Sequence, residues 1–589
     1  MKKLLIIIAT AIMFIQPTVN TQKKDVKFNQ NELEVSLNKF IEERKDATAG
    51  VSFAIFENGN LIIRKDIGYT DVQNKVLVDE NSVFEWGSVS KLLIWVSALQ
   101  LYEKGKLDLN EDIEKYLPKN FLSNKKFDKK ITFIDLMNHQ AGFQETIYPV
   151  ETTDEEIIKN NTLKKALIYS MPSQIYEPKS VTAYSNWGAA LGAYIIENIT
   201  NQDFASYVHE NIFNKIGMNH TALLPDWSDN NWVKETRNKM NSYSYFDTVK
   251  EDFGTNISNI LLYPSGAATG TASDFYLFTE ALIPGNDLNL FNNPKTLEKL
   301  YEPTLYYSNV NKVRNSHGFW TLEYSNTVYG HGGNTVGFTS SLWIDIENKK
   351  AVAVMSNEQG ETAYNYGLHP LVFGISSLET SGEVKDISGI YFSKRTIENG
   401  FGRIYKYISG IMPVFKTDDS RIYNLPGNMQ IIQIDDFTYM QVSENGLMFP
   451  IYLKDNNVLE SYTSDYERFS LIELFIAGFL IVGTLICFIT YLIRIIYLFI
   501  KKSNNKELYL SIGVLLLSLS LLFLWLNTET DKTIVIINSM VTTLLGIIPI
   551  IKIKYLLKSD NKKLISQWIL VFIAIIPFIA LIFMQSYIF

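Results

Sequence analysis

Gly87-Ser88-Val89-Ser90-Lys91 stands directly before the apolar run Leu92-Leu93-Ile94-Trp95-Val96. If Ser88 begins a helix, Lys91 lies one turn later on the same face, so its amine reaches the Ser88 hydroxyl. The helix N-terminus also places positive potential and free N–H groups at the reacting oxygen. This pair suits a nucleophile and its base if burial and nearby cations lower the pKa of Lys91. Taken alone, the pattern is more often a helix-capping serine followed by a solvated lysine.

A second candidate motif, Tyr184-Ser185-Asn186, lies on a predicted loop before a helix that starts near Gly188. A phenol beside an ammonium can pass a proton between a nucleophile and a leaving group. A carboxamide can hold a substrate amide through both a donor and an acceptor. Tyr184 is therefore a candidate for proton transfer and Asn186 for substrate binding, although the same residues also suit an ordinary turn.

The third candidate motif is His331-Gly332-Gly333-Asn334, on a predicted strand between Gly330 and Gly337. Glycines remove side chains where a substrate backbone must approach. The N–H group of Asn334 could pair with that of Ser88 as an oxyanion hole, and His331 would supply a hydrogen-bond donor or a positive charge. Without context, a bulged strand with an ordinary histidine explains the same residues.

In this order, the three motifs resemble the Ser-x-x-Lys, Tyr-x-Asn and Lys/His-x-Gly boxes of class C β-lactamases and related DD-peptidases and esterases. The flanking sequences resemble that family as well, over roughly residues 30–360. They are Ile131-Thr132-Phe133, His139-Gln140-Ala141-Gly142-Phe143, Ile216-Gly217-Met218 with Thr221, Ser265-Gly266-Ala267 and Thr271-Ala272-Ser273-Asp274.

The resemblance implies a role for each candidate residue. Ser88 would be the acylated nucleophile, with proton transfer shared by Lys91 and Tyr184. The implied substrate-binding residues are Asn186, His331, Gly333 and Asn334. His331 stands where the family has a lysine, which puts a lysine-dependent hold on a β-lactam carboxylate in doubt. Among the other histidines, His139 looks like a loop residue within a family motif, and the rest look structural or exposed: His209, His220, His317 and His369.

The region from residue 28 to residue 378 has the sequence pattern of an α+β domain. Val51 to Phe56 and Leu61 to Ile67 are predicted as two strands joined through Asn58-Gly59, a tight-hairpin signal. Helical spacing follows in the middle of the domain, and strands return near its end, before a helix-like run from Tyr364 to Leu378. First and last strands can then pair in one antiparallel sheet of a two-layer, β-lactamase/DD-peptidase-like domain with a helical subdomain. Its other predicted elements are helices at Glu32 to Lys45, Lys91 to Lys104, Ile131 to Met137 and Gly188 to Asn198, and strands at Thr327 to Gly332, Phe338 to Ile346 and Ala351 to Ser356.

Four predicted regions follow from these patterns. They are a signal peptide (1–21), a catalytic domain (28–378), a small β domain (386–466) and a transmembrane region of four helices (470–589). The β domain is predicted from short alternating runs separated by Asn, Asp and Gly. The signal peptide is predicted from Lys2, Lys3 and the apolar run Leu4 to Ile15, although an A-x-A-like cleavage site is missing and an uncleaved anchor stays open.

The C-terminal region has four apolar segments, each near the roughly 20 residues that a bilayer requires. They are Leu471 to Ile493, Leu508 to Leu526, Thr533 to Ile551 and Ile565 to Gln585. The loops after the first and third segments are rich in lysine, and such loops belong in the cytoplasm. The first segment then runs inward, which leaves the catalytic domain outside the cell and predicts a multi-pass protein of the cell membrane. Glu473 and Arg494 lie at segment edges, so we expect an anchor or partner-binding role rather than transport.

Composition excludes several functions. The formal net charge is −8 over 589 residues, with no Lys/Arg-rich run in the exported part, so a nucleic-acid partner is not expected. The single cysteine, Cys487, lies in the first apolar segment and allows no internal disulfide. No His/Cys/carboxylate cluster has metal-ligand spacing, and no Gly-x-Ser-x-Gly elbow surrounds Ser88. We therefore expect neither a metal nor another cofactor.

The sequence thus predicts a membrane-anchored serine hydrolase that acylates Ser88 with a small amide or ester substrate and contacts lipid through its C-terminal helices. The resemblance implies substrates that contain D-amino acids, such as cell-wall peptides or secreted peptide precursors. Two alternatives stay open. One is a penicillin-binding sensor or accessory protein that is acylated without efficient turnover, and the other is a pseudoenzyme scaffold. Protein partners and oligomeric state are not predicted.

Overall fold

A computed structural model describes residues 30–585, apart from 147, 149, 247–248, 256–258, 376–377, 409, 428, 444–447, 503–504, 527–531 and 559–563. The predicted signal peptide (1–21) lies outside the described residues. The chain runs from a mixed helix and sheet domain into a closed β-barrel and then into long apolar helices. This succession confirms the predicted fold class.

A nine-stranded antiparallel sheet forms the centre of the first domain. Its first long strand pairs with its last long strand, with Val51 opposite Ser356, as the sequence predicts. The strands Gly50–Glu57 and Asn60–Asp71 form the predicted hairpin, and Asn58 and Gly59 both have positive φ, which a tight two-residue turn requires. In spatial order the strands are Leu305–Tyr306, Val313–Ser316, Phe319–Glu323, Thr327–Thr335, Phe338–Asp345, Lys350–Ser356, Gly50–Glu57, Asn60–Asp71 and Val76–Leu77.

Both faces of this sheet are covered. Ala54 and Phe56 point into the core shared with the helical subdomain, whereas Phe53 and Ile55 point into a second core under the N-terminal helix Gln30–Arg44. Alternate residues of the strand therefore pack on opposite faces, and all of them are buried. The predicted two-layer arrangement is wrong in this respect, because the N-terminal helix and part of the barrel form a further layer.

The helical subdomain follows the predicted segments with small shifts at their ends. One prediction is wrong: among the described residues of the run from Tyr364 to Leu378, the only α-helix is His369–Phe373. Pro370 lies in the first turn of this helix, where its missing N–H leaves no helical hydrogen bond unmade, and Gly374 takes φ 76° at the C-terminal end. The other α-helices of the domain are Gln30–Arg44, Lys91–Glu103, Phe133–Met137, Glu155–Asn160, Leu163–Tyr169, Asn186–Thr200, Phe204–Val208, Asn214–Ile216, Asn231–Arg237, Ala272–Ala281 and Pro294–Leu300.

Shorter elements complete the domain. The 3-10 turns are Gly87–Ser90, Ile113–Tyr116 and Tyr263–Ser265, and His209–Phe213 is a π-turn. One three-stranded sheet consists of Val83–Glu85, Thr269–Thr271 and Thr221–Ala222. A second consists of Glu358–Gln359, Tyr243–Phe246 and Val249–Asp252. The remaining pair is Glu151–Thr152 with Asn259–Ile260.

The predicted small β domain is a closed barrel of eight strands, each paired with the next in sequence. Tyr391 in the first strand pairs with Arg468 in the last, which closes the barrel and removes its open edges. The connection after the first strand carries a 3-10 turn, Phe401–Ile404, and the helix Tyr405–Ile408. The strands are Gly389–Ser393, Ile411–Lys416, Ile422–Leu425, Met429–Gln433, Thr438–Val442, Met448–Asp455, Val458–Glu460 and Asp465–Arg468.

Within the described residues, four C-terminal helical segments are long and apolar enough to cross a membrane. They are Leu471–Ile500, Asn505–Leu526, Thr533–Leu557 and Ile565–Phe583. The third segment is two consecutive helices, Lys532–Leu545 and Ile548–Leu557, with Pro549 near the start of the second. Proline is tolerated there because the first N–H groups of a helix have no partner within it.

Candidate active site

Ser88 lies on a 3-10 turn, Gly87–Ser90, that runs directly into the helix Lys91–Glu103. Lys91 Nζ lies 3.0 Å from Ser88 Oγ, so the predicted contact between the two side chains is present. Lys91 also donates a hydrogen bond to the carbonyl oxygen of Ser265, at 2.6 Å. The turn is held by Ser90, whose hydroxyl donates to the Gly87 carbonyl at 2.6 Å.

The electrostatic surroundings of Lys91 favour a neutral amine. The side chain is fully buried, and burial is the main cause that lowers its pKa well below the ordinary lysine value. The positive charge of Arg395 lowers the pKa further, while the negative charge of Glu145 opposes the shift. A neutral amine can donate to Ser265 and still accept a proton from Ser88.

Tyr184 is held against this pair by a cluster of rings. Lys91 Nζ lies 4.9 Å from the centre of the Tyr184 ring, and His139 stacks on that ring with 4.4 Å between centroids. His139 in turn stacks on Trp320, with 5.4 Å between centroids. The Tyr184 hydroxyl is buried and makes no hydrogen bond with the part of the chain that the structure describes. Burial raises the pKa of Tyr184, and the nearby Ser88 side chain partly offsets that rise, so the phenol stays protonated.

Asn186 is the first residue of the helix Asn186–Thr200. Ser185 caps that helix, because its hydroxyl accepts a hydrogen bond from the Gly188 N–H at 2.9 Å. The Ser185 N–H donates to Nδ1 of His139 at 3.0 Å, so the His139 ring fixes the backbone between the phenol and the amide. Oδ1 of Asn186 is buried and has no partner among the described residues, so it is open to a substrate donor.

His331 lies on the strand Thr327–Thr335, with its ring centroid 6.1 Å from that of Tyr184. Burial, and next the charge of Lys91, lower the pKa of His331 to about 3, so the ring is neutral at pH 7. Its Nδ1 donates to the carbonyl of Gly332 at 2.6 Å, which leaves Nε2 as a buried acceptor. This differs from the expectation of a donor or a positive charge, because a buried imidazole next to a lysine does not hold a second proton.

Glycines bring this strand against the nucleophile turn. A Cβ on Gly333 would stand 2.0 Å from the Trp86 carbonyl oxygen and 3.0 Å from the Ser88 nitrogen. A Cβ on Gly87, whose φ is 51°, would stand 2.6 Å from the Asn334 nitrogen. Only glycine allows such approach at both positions. The two N–H groups expected to form an oxyanion hole therefore belong to backbones in direct contact.

The barrel holds the loop that carries Tyr184. The Tyr184 N–H donates to the Thr463 carbonyl at 3.1 Å, and Ala183 forms an antiparallel bridge with Ser464. Next to this bridge, the buried Arg314 and Asp465 form an ion pair of 2.8 Å that joins the central sheet to the barrel. The backbone of Tyr184 is thus part of the interface between the first domain and the barrel.

Arg395, on the barrel connection after Gly389–Ser393, reaches the same place. Its guanidinium carbon lies 5.0 Å from the centre of the Tyr184 ring. Its Nε donates to Glu145 at 2.6 Å, and the Glu145 N–H donates to the Thr396 carbonyl at 3.1 Å. The barrel therefore contributes a positive charge beside the phenol of Tyr184.

The structure brings the seven predicted residues of the three motifs to one region. Four further groups lie at this site that the sequence did not predict there: His139, the carbonyl of Ser265, Glu145 and Arg395. His139 and Ser265 lie in the flanking motifs that carry the family resemblance, so those motifs were the available signal. Nothing in the local sequence distinguishes Arg395 or Glu145 from exposed loop residues, because their role arises only when the barrel docks.

Comparison with known proteins agrees with the motifs. The family model described as Beta-lactamase matches residues 37–373, more than half of the chain. Penicillin-binding protein 4* of Bacillus subtilis (strain 168) is 24% identical over 328 residues, which cover 53% of this chain and 69% of that protein. Protein flp of Staphylococcus aureus (strain N315) is 28% identical over 214 residues, covering 36% of this chain and 40% of its own length. The crystal structure of SurE covers 74% of this chain and 98% of its own, with TM-score 0.50 and 15% identity, a likeness of fold alone.

Proposed function

This chain belongs to the beta-lactamase family, and from that premise we propose that it is a serine hydrolase that forms an acyl-enzyme at Ser88 on an amide or ester substrate. One observation carries the proposal: the amine of the fully buried Lys91 lies 3.0 Å from the Ser88 hydroxyl. Because burial lowers the pKa of that amine, it can take the hydroxyl proton as the serine attacks.

The first half-reaction uses both proton carriers. The Ser88 oxygen bonds to the substrate carbonyl carbon while its proton passes to Lys91. Collapse of the tetrahedral intermediate breaks the bond to the leaving nitrogen or oxygen, which takes the proton of Tyr184. Lys91 then returns its proton to the phenolate of Tyr184, whose ring lies beside the amine. The enzyme is left acylated with both carriers in their starting states, ready to activate a water for deacylation.

The substrate carbonyl is held by backbone and side-chain groups. We assign the oxyanion to the N–H groups of Ser88 and Asn334, supported by the contact between their backbones at Gly87 and Gly333. Asn186 receives a substrate N–H at its unpartnered Oδ1. His331 offers Nε2 as an acceptor rather than a charge at the edge of the pocket.

The substrates that we propose are peptides that contain D-amino acids, in the cell wall or in a secreted precursor. The resemblance of the three motifs to those of DD-peptidases supports this class, as does the similarity to penicillin-binding protein 4* of Bacillus subtilis. A penicillin is therefore a suitable first probe of acylation.

We further propose that the four apolar helices anchor the protein in the cell membrane, with residues before 470 outside the cell. The lysine-rich loops and the predicted signal peptide (1–21) support this topology. The division into a catalytic domain (28–378), a β domain (386–466) and a transmembrane region (470–589) belongs to the same proposal.

The test of hydrolase function compares full-length protein in detergent with two serine variants. Ser88→Ala removes the proposed nucleophile, whereas Ser97→Ala removes a buried serine of the helix that follows the Ser88 turn, whose hydroxyl donates to the Leu93 carbonyl. A fluorescent phosphonate and a fluorescent penicillin should label the wild type and Ser97→Ala but not Ser88→Ala. Labelling of Ser88→Ala at the wild-type rate would sink the proposal.

A sensor that is acylated without turnover is the second candidate, and one observation favours it. The connection that carries Arg395 continues to Lys406 and Tyr407, which bond Glu473 at the start of the first apolar helix, at 3.3 and 2.7 Å. The same connection therefore touches the catalytic phenol and the membrane region. Counting substrate molecules consumed per labelled protein separates the two: a sensor consumes about one, and a hydrolase consumes many.

A further inference from the structure

Arg395 occupies an unusual position for a residue of a separate barrel. Its guanidinium lies over the ring of Tyr184, 5.0 Å from the ring centre, and its charge lowers the pKa of Lys91 and of His139. An arginine remains charged at any physiological pH. The barrel thus fixes a permanent cation over the ring of Tyr184.

The guanidinium of Arg395 forms only part of its possible hydrogen bonds within the described part of the chain. Nε donates to Glu145, but within the described part of the chain the two terminal nitrogens make no hydrogen bond. The side chain is 40% exposed, so those nitrogens can reach a ligand. Two parallel N–H donors in one plane match the two oxygens of a carboxylate.

The other cationic groups of the pocket cannot hold an anion in the reactive state. His331 is neutral, and Lys91 must be neutral to accept the Ser88 proton. The neighbouring Lys394 is paired with Glu467. Of these four basic residues, Arg395 is the one that combines a permanent charge with free donors.

We propose that Arg395 binds a carboxylate of the substrate on the side of the leaving group, and so makes the protein select substrates that end in a free carboxylate. This rests on the proposed function. The leaving group takes its proton from Tyr184, and Arg395 lies against that same ring, so a carboxylate close to the scissile bond reaches the terminal nitrogens. Glu145 holds the guanidinium through Nε and leaves the opposite edge to the ligand.

The test uses two thioesters of N-acetyl-D-alanine that differ in one group. One releases thioglycolate, which carries a carboxylate, and the other releases thioglycolamide, which is neutral. Both thiols are detected by the same colorimetric reagent. The proteins are full-length wild type, Arg395→Gln, Arg395→Lys and Ser88→Ala, with Arg421→Gln as the matched control. Arg421 is a barrel arginine that donates to the Ser381 and Gly382 carbonyls.

The quantity compared is the kcat/KM for the carboxylate substrate divided by that for the neutral one. Arg395→Gln should lower this ratio about 10- to 100-fold, as expected for loss of a charged hydrogen-bonded pair. Arg395→Lys should restore part of it, and Arg421→Gln should leave it unchanged. Both substrates require the same proton transfer from Ser88 to Lys91. A change in the basicity of Lys91 therefore alters both kcat/KM values by the same factor and cancels in the ratio.

Two results overturn the inference, and they are distinguishable. If both substrates lose the same factor in Arg395→Gln, the arginine tunes the base and does not bind the carboxylate, while the hydrolase proposal stands. If wild type and Ser88→Ala hydrolyse neither thioester above background, the proposed function fails and this inference fails with it.

Discussion

Gly333→Ala should abolish rapid acylation, whereas Gly332→Ala should not. A Cβ at position 333 would stand 2.0 Å from the Trp86 carbonyl oxygen and 2.8 Å from Ser340 Oγ. Neither atom can move freely, because the Ser340 hydroxyl donates to that same carbonyl at 2.6 Å. The strand and the turn that carries Ser88 must therefore separate by about 1.4 Å to restore ordinary contact, and a displacement of about 1 Å already costs about 100-fold in rate.

Gly333→Ala should also weaken the stabilisation of the oxyanion, and the rate loss from this cause is of similar size. The displaced groups include the backbone beside Ser88 and Asn334, and loss of one oxyanion donor costs about 100- to 1000-fold. The folded state should lose only about 1–3 kcal/mol, the ordinary cost of overpacking. Gly332→Ala is the matched control, since its nearest neighbour would be the Tyr366 hydroxyl at 3.6 Å, an ordinary contact.

The assay is the second-order rate of labelling by a fluorescent penicillin, followed on gels with full-length protein in detergent. Thermal unfolding of the same samples shows whether each variant is folded at the assay temperature. We expect a loss of at least about 100-fold for Gly333→Ala and a change within about threefold for Gly332→Ala. A folded Gly333→Ala protein that is labelled at the wild-type rate would refute the geometry described for the oxyanion site.

Three further predictions concern the interface and the titrating groups. Asp465→Ala removes the nearer carboxylate partner of the buried Arg314, which keeps Glu460 at 3.9 Å and the Ser461 carbonyl, and should lower the free energy of unfolding by about 1–3 kcal/mol, measured by denaturant titration; no measurable loss would contradict the role of this pair. Glu145→Gln removes a charge that raises the pKa of Lys91, so the acid limb of the pH profile of the labelling rate should move to lower pH. Arg395→Gln removes a charge that lowers this pKa, so the acid limb should move to higher pH. Shifts of both variants in the same direction would contradict the assignment of Lys91 as the base. The pKa of His331 falls from 6.5 to about 3 on folding, so below pH 6.5 the unfolded chain binds a proton that the folded chain does not. His331 should therefore cost up to about 1.4 kcal/mol of stability per pH unit between pH 6.5 and 3. Melting temperatures measured from pH 7 to 4 should fall less steeply in His331→Asn than in wild type, and equal slopes would show that the ring is not held neutral.

The sequence was most informative where local patterns determine structure. Asn58-Gly59 predicts a turn because both residues take positive φ, and the apolar runs on either side of it predict the two strands that the turn joins. The three catalytic motifs were predicted to meet, and Lys91, Tyr184 and His331 do lie around Ser88. These successes have a common basis, since each depends on backbone preferences or on motifs that a family resemblance supplies.

The remaining features depend on contacts between distant segments. Alternating runs predicted strands in the β domain, but barrel closure depends on pairing Tyr391 with Arg468. The charge of His331 could not be predicted either, because it depends on burial beside Lys91 rather than on neighbours in sequence. Arg395 reaches Tyr184 only because Ser464 and Asp465 dock the barrel on the catalytic domain. Such features need the folded chain.

Mass-spectrometric mapping of the acylated residue is the most direct test of the central claim. Full-length protein is treated with penicillin, quenched in acid and digested, and the modified peptide is sequenced. Our account predicts one adduct, on the hydroxyl of Ser88, and a rate of adduct formation at least about 100-fold lower in Lys91→Ala. An adduct on any other residue, or an undiminished rate without the Lys91 amine, would contradict it.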